Sequence, residues 1–125
     1  MKQEIHRLPD GELEVMQALW DCPAPATRTD IEQVLFPAHQ MATTTLLTML
    51  TRLGDKGFVS IKKEGRRSLY TPLIGKADYL AAQSDSFIRK LCRGSISTFA
   101  AALCDSGLSQ EDLKELSELL RKGEL

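Results

Sequence analysis

The sequence predicts a mainly α-helical fold with a small antiparallel β wing, organised as a winged helix-turn-helix followed by a helical C-terminal region. Three segments before residue 57 repeat apolar residues at three- and four-residue spacing, which indicates amphipathic helices. Two β-prone segments then flank a glycine turn, and only amphipathic helical patterns follow. We therefore expect a winged DNA-binding domain over residues 1–75 and a helical dimerisation domain over residues 76–125.

The first helix is defined by an apolar stripe and by a signal at each end. Leu13, Met16 and Leu19 recur at three-residue spacing, and Asp10 just before them is the predicted N-cap. The proline-containing segment 22–25 ends this helix, because proline cannot continue one.

The second and third helices have equally local signals. Thr27 and Asp30 form a capping-box pattern at the start of the second helix, and Pro37 ends it. The third helix begins near residue 42, and its inward stripe consists of Leu46, Leu50 and Leu53.

A β hairpin is expected after the third helix. Gly57 suits the C-terminal end of that helix, since glycine readily adopts the left-handed conformation. The β-prone segments 58–61 and 68–71 lie on either side of a turn at Glu64 and Gly65. Basic residues gather at the tip of this hairpin, which would therefore form a positively charged wing.

The C-terminal region has the pattern of three amphipathic helices. The first covers Ala77–Arg93 and is broken by Gly94, a shorter one starts near Ile96, and Ser109 with Asp112 caps the last. Their apolar faces exceed what about fifty residues can bury alone, so we expect them to pair with a second copy. The predicted dimer contacts are Leu80, Phe87, Ile88 and Leu91 on the long helix and Leu113, Leu116 and Leu120 on the last.

The charge distribution bears on the class of partner. The net charge is −1, so the strong overall basicity typical of nucleic-acid-binding proteins is missing. The segment from Arg52 to Arg67 nevertheless holds six basic residues against two acidic ones. A nearly neutral protein with one basic face can still bind phosphates.

The third helix is the predicted DNA-reading element. Threonines dominate its outward face, and threonine can hydrogen-bond a phosphate or a base edge or touch a thymine methyl group. Taken alone, a threonine cluster fits a solvated surface as well as it fits a DNA contact. A charged hairpin tip, taken alone, is usually only a solvated surface. The two features together, in this order, favour binding to double-stranded DNA. The predicted contacts are Arg28, Thr43, Thr44, Leu47, Thr48, Arg52, Lys62, Lys63, Arg66 and Arg67.

The sequence offers no motif for catalysis, for a metal or for a cofactor. Its three cysteines, Cys22, Cys92 and Cys104, have no metal-ligand spacing, and neither a phosphate-binding glycine loop nor a nucleophile elbow is present. We therefore expect no enzymatic activity, no cofactor and no metal site. No apolar run has membrane-spanning length, and the few cysteines fit a reducing cytoplasm.

Three segments resemble the penicillinase repressor family of the BlaI and MecI type. Residues 8–20, LPDGELEVMQALW, resemble the opening helix of that family. Residues 43–53, TTTLLTMLTRL, followed by Lys56-Gly57-Phe58, resemble its recognition helix and the start of its wing. Residues 108–113, LSQEDL, resemble the start of its last helix. The resemblance thus extends over nearly the whole chain.

The resemblance implies a homodimeric repressor of a palindromic promoter site, controlling β-lactam resistance or stress genes. It also implies inactivation by a sensor protease pathway that cuts an Asn-Phe bond in the C-terminal region. Ala101-Ala102 occupies the corresponding position, so the usual cut is not expected. The tail at residues 120–125 lacks the cysteine-rich metal motif of the copper-responsive branch. Leu47 stands where some relatives carry a basic or polar residue, which predicts a different operator preference.

Two other functions suit the same fold. The balanced charge would permit a winged helix that binds another protein and never touches DNA. An RNA-binding winged helix is the second alternative. Binding to duplex DNA with a preference of about tenfold or more for one promoter site would exclude both.

Overall fold

The computed structural model describes residues 5–122, which form two compact units that divide after Gln83. The first unit contains three helices, a two-stranded antiparallel sheet and the start of a fourth helix, and the second contains helices alone. This architecture confirms the predicted fold class. The elements are α1 (Asp10–Trp20), α2 (Arg28–Leu35), α3 (Thr43–Asp55), β1 (Val59–Glu64), β2 (Arg67–Pro72), α4 (Lys76–Lys90), α5 (Ile96–Asp105) and α6 (Gln110–Lys122).

The core of the first unit is formed by the apolar stripes that the sequence predicts. Leu46, Leu50 and Leu53 of α3 are fully buried, in one cluster with Met16 and Leu19 of α1. The cluster also takes in residues from α2, from both strands and from the start of α4. Because α3 buries only one side, its other side is left on the surface of the molecule.

The start of α1 differs from the prediction that Asp10 is its N-cap. Pro9 occupies the N-cap position with φ −58°, no side chain caps the helix, and Asp10 is its first residue. The Leu13 N–H donates directly to the Pro9 carbonyl at 2.9 Å. Proline holds its own φ in the range that leads into a helix, and an aspartate in the first turn favours the helix dipole without capping it.

The ends of α2 and α3 confirm the local signals. The Thr27 hydroxyl accepts from the Asp30 N–H at 3.2 Å, and the Thr27 N–H donates to the Asp30 carboxylate at 3.0 Å. These two bonds complete the predicted capping box. Gly57 follows the last residues of α3 with φ 81°, a left-handed conformation that lets the chain turn into the hairpin.

The hairpin has a short turn and is tethered to the loop before α2. Glu64 pairs with Arg67, which leaves Gly65 and Arg66 as the central turn residues. Gly65 has φ 65°, as a two-residue turn of type II′ requires at its first central position. Tyr70 exchanges two backbone hydrogen bonds with Ala26, of 2.8 and 2.9 Å. The hairpin is thereby held against the helix-turn-helix.

The start of α4 belongs to the first unit because of Tyr79. Its ring is buried against Trp20 and Phe58, and its hydroxyl accepts from the Leu8 N–H at 2.9 Å. The half-buried Trp20 donates from Nε1 to the Ile74 carbonyl at 2.9 Å. The compact unit therefore extends to Gln83, whereas the sequence analysis placed the domain boundary after residue 75. The functional assignment of the two parts stays a prediction.

The second unit has little buried apolar surface of its own. No residue of α5 or α6 is buried within the described chain, and Cys92 is the buried residue of the segment 84–122. The predicted helix 77–93 ends earlier, at Lys90, because Arg93 and then Gly94 adopt positive φ values of 53° and 78°. The capping box of α6 is confirmed, since Asp112 N–H donates to the Ser109 hydroxyl at 3.1 Å.

None of the helices described has the length and apolarity needed to cross a membrane. Between residues 5 and 122, no cluster of three or more histidine, cysteine or acidic side chains could hold a metal ion.

Candidate nucleic-acid interface

A concave groove of about 500 Å³ lies between the N-terminal end of α2, the exposed side of α3 and the tip of the hairpin. It brings together four of the predicted DNA contacts, from three elements that are distant in sequence. Three of these four residues are arginines, so the groove is positively charged. Its lining residues are Thr27, Arg28, Thr29, Leu47, Arg66, Arg67, Ser68 and Tyr70.

The exposed side of α3 carries the predicted reading residues. Thr44, Leu47, Thr48 and Thr51 are all exposed, opposite the buried leucines of the same helix. The Thr48 hydroxyl donates to the Thr44 carbonyl at 2.9 Å, and the Thr51 hydroxyl donates to the Leu47 carbonyl at 3.0 Å. Arg52 follows on the same exposed flank. This surface of α3 is free to enter a groove of DNA.

Glu32 connects the two helices of the helix-turn-helix through a contact with the start of each. Its Oε1 lies 3.4 Å from Nε of Arg28, one turn earlier on α2. Its Oε2 accepts from the Thr43 hydroxyl at 3.3 Å, at the start of α3. Arg28 is thereby oriented at the edge of the groove. Thr43 is half-buried with its hydroxyl already bonded, and its predicted contact with DNA would require that bond to open.

The two lysines of the wing lie on opposite faces of the hairpin. Lys63 is paired with Ser68, two positions from the pair formed by Ile61 and Tyr70, and Lys62 falls between them. Since side chains alternate along a strand, Lys63 shares the face of the buried Tyr70 and Lys62 points to the other face. The predicted neighbours Lys62 and Lys63 therefore offer one cation to each side of the wing.

The remaining cations differ in their availability. Arg67 lies 3.4 Å from the Glu64 carboxylate in an exposed pair, which is readily exchanged for another anion. Arg52 and Arg66 are exposed and have no ion pair within the described residues. Lys56, by contrast, is bound to the buried carboxylate of Glu12. The basic segment thus contains one structural lysine, and its other cations face solvent.

Two titratable groups near the groove have shifted pKa values. Hydrogen bonding with the backbone and side chain of Thr27 holds the pKa of Asp30 below its ordinary value, and the Arg67 charge acts in the same direction. Burial, with the nearby charges of Asp30 and Asp21, raises the pKa of the Cys22 thiol. Asp30 is therefore ionised at neutral pH, whereas Cys22 stays a protonated and unreactive thiol.

The predicted dimer contacts are accessible in the single chain. Leu80 and Phe87 of α4 are exposed by 53% and 37%, and Leu91, just after the end of that helix, is exposed by 72%. Ile88 is half-buried. On α6, Leu113 and Leu116 are half-buried and Leu120 is exposed by 56%.

Some groove residues were missed by the sequence analysis. Thr29 and Ser68 line the groove, but isolated hydroxyl residues beside a capping box and in a strand carry no separate signal. Glu32 was missed because its partner on α3 lies eleven residues away and lacks helical spacing. Thr51 was left out of the predicted contacts, although its exposure and spacing match those of Thr44 and Thr48.

Comparison with known proteins places this architecture among bacterial regulators. The family model for the penicillinase repressor matches residues 8–122. The penicillinase repressor of Bacillus licheniformis is 32% identical over 121 residues, covering 96% of this chain and 94% of that protein. The methicillin resistance regulatory protein MecI of Staphylococcus aureus strain N315 is 27% identical over 123 residues, covering 98% of this chain and 99% of that protein.

Two solved structures resemble part of the chain. The DNA-binding domain of the repressor BlaI is 35% identical with a TM-score of 0.52, covering 63% of this chain and 94% of that one. Monomeric Bacillus licheniformis BlaI in complex with the blaP half-operator is also 35% identical, with a TM-score of 0.50 and the same coverage.

The fold and the groove together define a winged helix-turn-helix transcriptional regulator. The chain belongs to the penicillinase repressor family, since the family model spans almost all of it. It is therefore a DNA-binding transcriptional repressor and not an enzyme, as the sequence analysis predicted.

Proposed function

We propose that this repressor is a homodimer in which each copy inserts α3 into the major groove of one half of a palindromic operator. Arg28 at the start of α2 and the arginines at the tip of the wing would then contact phosphates on either side of that groove. The observation that carries this proposal is the convergence of Arg28, Leu47, Arg66 and Arg67 on one concave surface. Cations flanking an exposed helix suit a duplex, whose phosphates border its grooves.

The relatives support operator binding. BlaI of Bacillus licheniformis, at 35% identity, has been solved as a monomer in complex with a half-operator. A half-operator for one copy implies a full operator for two, so the relative is consistent with a two-fold arrangement. The regulated genes of this chain would be β-lactam resistance or stress genes, by analogy with the penicillinase and methicillin resistance regulators.

Pairing through the second unit supplies the two-fold symmetry. Leu91, Ile96 and Leu120 of this unit are exposed by 72%, 67% and 56%, and Leu80, just before it in the sequence, is exposed by 53%. A second copy that covers these side chains would bury apolar surface at roughly 25 cal/mol per Å². The paired heads would then face half-sites about 34–36 Å apart, or a multiple of that distance.

The salt dependence of binding tests the electrostatic part of the proposal. If each copy places about three to five cations on phosphates, a dimer neutralises roughly six to ten charges, and the logarithmic salt slope is about −5 to −9. We expect Arg66→Ala to reduce the magnitude of that slope by about two in the dimer and to weaken all duplexes alike. The measurement is a titration of promoter DNA at several salt concentrations.

The matched control is Arg89→Ala, which removes the same charge from an exposed pair with Asp85 on α4. It should leave the slope unchanged. A wild-type slope near zero, or an equal effect of both arginine variants, would contradict the proposed placement of the wing. If the protein binds no promoter duplex more tightly than random DNA, the result would favour one of the two alternatives, a protein-binding or an RNA-binding winged helix.

Relief of repression would act through the second unit, in the cytoplasm where the repressor meets its promoter. Family members are expected to respond to a sensor protease pathway. Ala101 and Ala102 are exposed here, yet both lie in the interior of the helix Ile96–Asp105. A protease binds extended backbone, so cleavage at this position would require α5 to unfold first. An intact chain after induction would indicate a signal other than this cut.

A further inference from the structure

The reading side of α3 has an unusual chemical composition for a helix that enters the major groove. Residues 43–51, TTTLLTMLT, contain no arginine, lysine, asparagine, glutamine, aspartate or glutamate. Its exposed members offer methyl groups, hydroxyl groups and one leucine side chain. Within residues 43–51, the side chains that ordinarily identify guanine or adenine by paired hydrogen bonds are thus missing, and the first such side chain is Arg52, immediately after them.

We propose that this surface identifies its half-site by contact with thymine methyl groups. Thr44, Leu47, Thr48 and Thr51 would each cover a thymine or the edge of one, so that thymines define the preferred half-site. The inference rests on the proposed function, because it assumes that α3 lies in the major groove. It adds the chemical feature of the DNA that this helix selects.

The spacing of the four residues places them on one side of the helix. Thr44, Leu47, Thr48 and Thr51 follow the three- and four-residue spacing of a single helical face. All four are exposed, with Leu47 at 38%, while Leu46, Leu50 and Leu53 fill the core on the opposite side. A helix lying in the major groove would therefore present this row to the base edges.

The hydroxyl groups of two of these threonines are already used as donors. Thr48 donates to the Thr44 carbonyl at 2.9 Å, and Thr51 donates to the Leu47 carbonyl at 3.0 Å. Donation to guanine O6 or N7 would require these bonds to break. What Thr48 and Thr51 offer a base without rearrangement is a methyl group and the lone pairs of the hydroxyl oxygen.

The major groove presents only one apolar group, the C5 methyl of thymine. An exposed leucine beside three threonines is complementary to that methyl group. Burying the leucine side chain against a polar base edge would add nothing to the free energy of binding. The competing possibility is that the threonine oxygens accept hydrogen bonds from the amino groups of adenine or cytosine. Methyl contact and oxygen contact can be separated chemically, on the protein and on the DNA.

The experiment begins with the full-length protein and a random library of 30-base-pair duplexes, from which the tightest-binding sequence is selected. That duplex is resynthesised with deoxyuridine in place of thymidine at one position at a time, which removes a single methyl group. We expect a loss of about fourfold in affinity at each contacted thymine, corresponding to one buried methyl group. Substitution outside the footprint serves as the control and should have no effect.

Two variants of Thr48 identify the protein partner. Thr48→Ser removes the methyl group and keeps the hydroxyl, and it should weaken the thymine duplex about fourfold without weakening the matching deoxyuridine duplex further. Thr48→Val keeps a methyl group at the same place and removes the hydroxyl, and it should retain the thymine preference. Both changes lie on the exposed side of α3, and circular dichroism checks that each variant folds.

The outcomes separate the inference from the proposed function. Site-specific binding that ignores deoxyuridine, or is lost with Thr48→Val and kept with Thr48→Ser, overturns the methyl contact while operator binding stands. Enrichment of no sequence from the library overturns the proposed function, and the inference fails with it. Loss on deoxyuridine substitution that depends on the Thr48 methyl group supports both.

Discussion

Glu12 is a buried carboxylate on α1, exposed by only 4%, and its partner is Lys56 at the C-terminal end of α3. The lysine is half-exposed, so the pair joins an anion that needs a partner to a cation that water can also solvate. Removing Lys56 and removing Glu12 should therefore have different effects on stability. The pair connects the reading helix to the helix behind it.

We predict that Lys56→Ala lowers the free energy of unfolding by about 1–3 kcal/mol, because it leaves the Glu12 carboxylate buried without a partner. Glu12→Gln should cost less, since water can solvate the freed lysine. Lys63→Ala is the matched control, as Lys63 is exposed on β1 and has no ion pair within the described residues. Urea denaturation measures all three, and equal effects of Lys56→Ala and Lys63→Ala would argue against a supporting role for the pair.

Interactions of this kind are hard to predict from sequence. The stripe of Leu46, Leu50 and Leu53 was predicted because burial repeats with the period of the helix. Glu12 and Lys56 are separated by 44 positions, and their pairing depends on how α1 and α3 pack. Lys56 was accordingly counted with the basic segment, although its role is in the interior of the fold.

At the level of the elements, the wing depends on a single conformation at its turn. Gly65 has φ 65°, and a Cβ added there would meet no heavy atom within 4 Å. Replacement therefore strains the backbone and clashes with nothing. Arg66 and Arg67 directly follow Gly65, so a change in the turn would also move the two arginines that are proposed to contact phosphates.

We predict that Gly65→Ala destabilises the protein by about 1 kcal/mol through its left-handed conformation. It should also weaken DNA binding more than this loss of stability explains, because the tip of the wing shifts. Gly75→Ala is the control, since a Cβ at Gly75 would make an ordinary contact 3.7 Å from Asp78. Thermal unfolding and a DNA titration of both variants make the comparison. An unaffected affinity for Gly65→Ala would show that the wing tip does not touch the duplex.

Element boundaries were predictable where their signals were local. Thr27 with Asp30, and Ser109 with Asp112, were identified because both partners of each capping box lie within one turn. Asp10 was misassigned because Pro9 can occupy the cap position without any side-chain bond. The end of α4 was placed at Arg93 instead of Lys90, because Leu91 and Cys92, which already lie outside the helix, include no proline or glycine that would mark its end.

At the scale of the whole molecule, Tyr79 decides where the reading head ends. Its ring packs in the core of the first unit with Trp20 and Phe58, at centroid distances of 5.8 and 5.9 Å. The sequence suggested an earlier boundary, after residue 75, because its pattern does not show that Tyr79 of α4 packs into the core of the first unit. The predicted domain of residues 1–75 omits this residue.

We predict that a fragment of residues 1–83 is more stable than one of residues 1–75. The shorter fragment loses the Tyr79 ring and its hydrogen bond to Leu8, a deletion comparable to a large core truncation of about 3–5 kcal/mol. Urea denaturation compares the two fragments, with Tyr79→Ala in the longer one as the control for length alone. Equal stability of the two fragments would place the boundary after residue 75, as the sequence suggested.

The final prediction concerns how two heads act together. Full-length protein should bind a two-half-site operator about 10²–10⁴ times more tightly than the fragment 1–83, because pairing makes the second contact intramolecular. Leu116→Asp should weaken operator binding in the same way, since a charge at this half-buried position opposes pairing. Sedimentation and operator titration of both proteins test this, with Glu115→Ala as an exposed control on α6. If the monomeric fragment binds at full strength, the second unit does not control affinity, and the signal that relieves repression must act on the head itself.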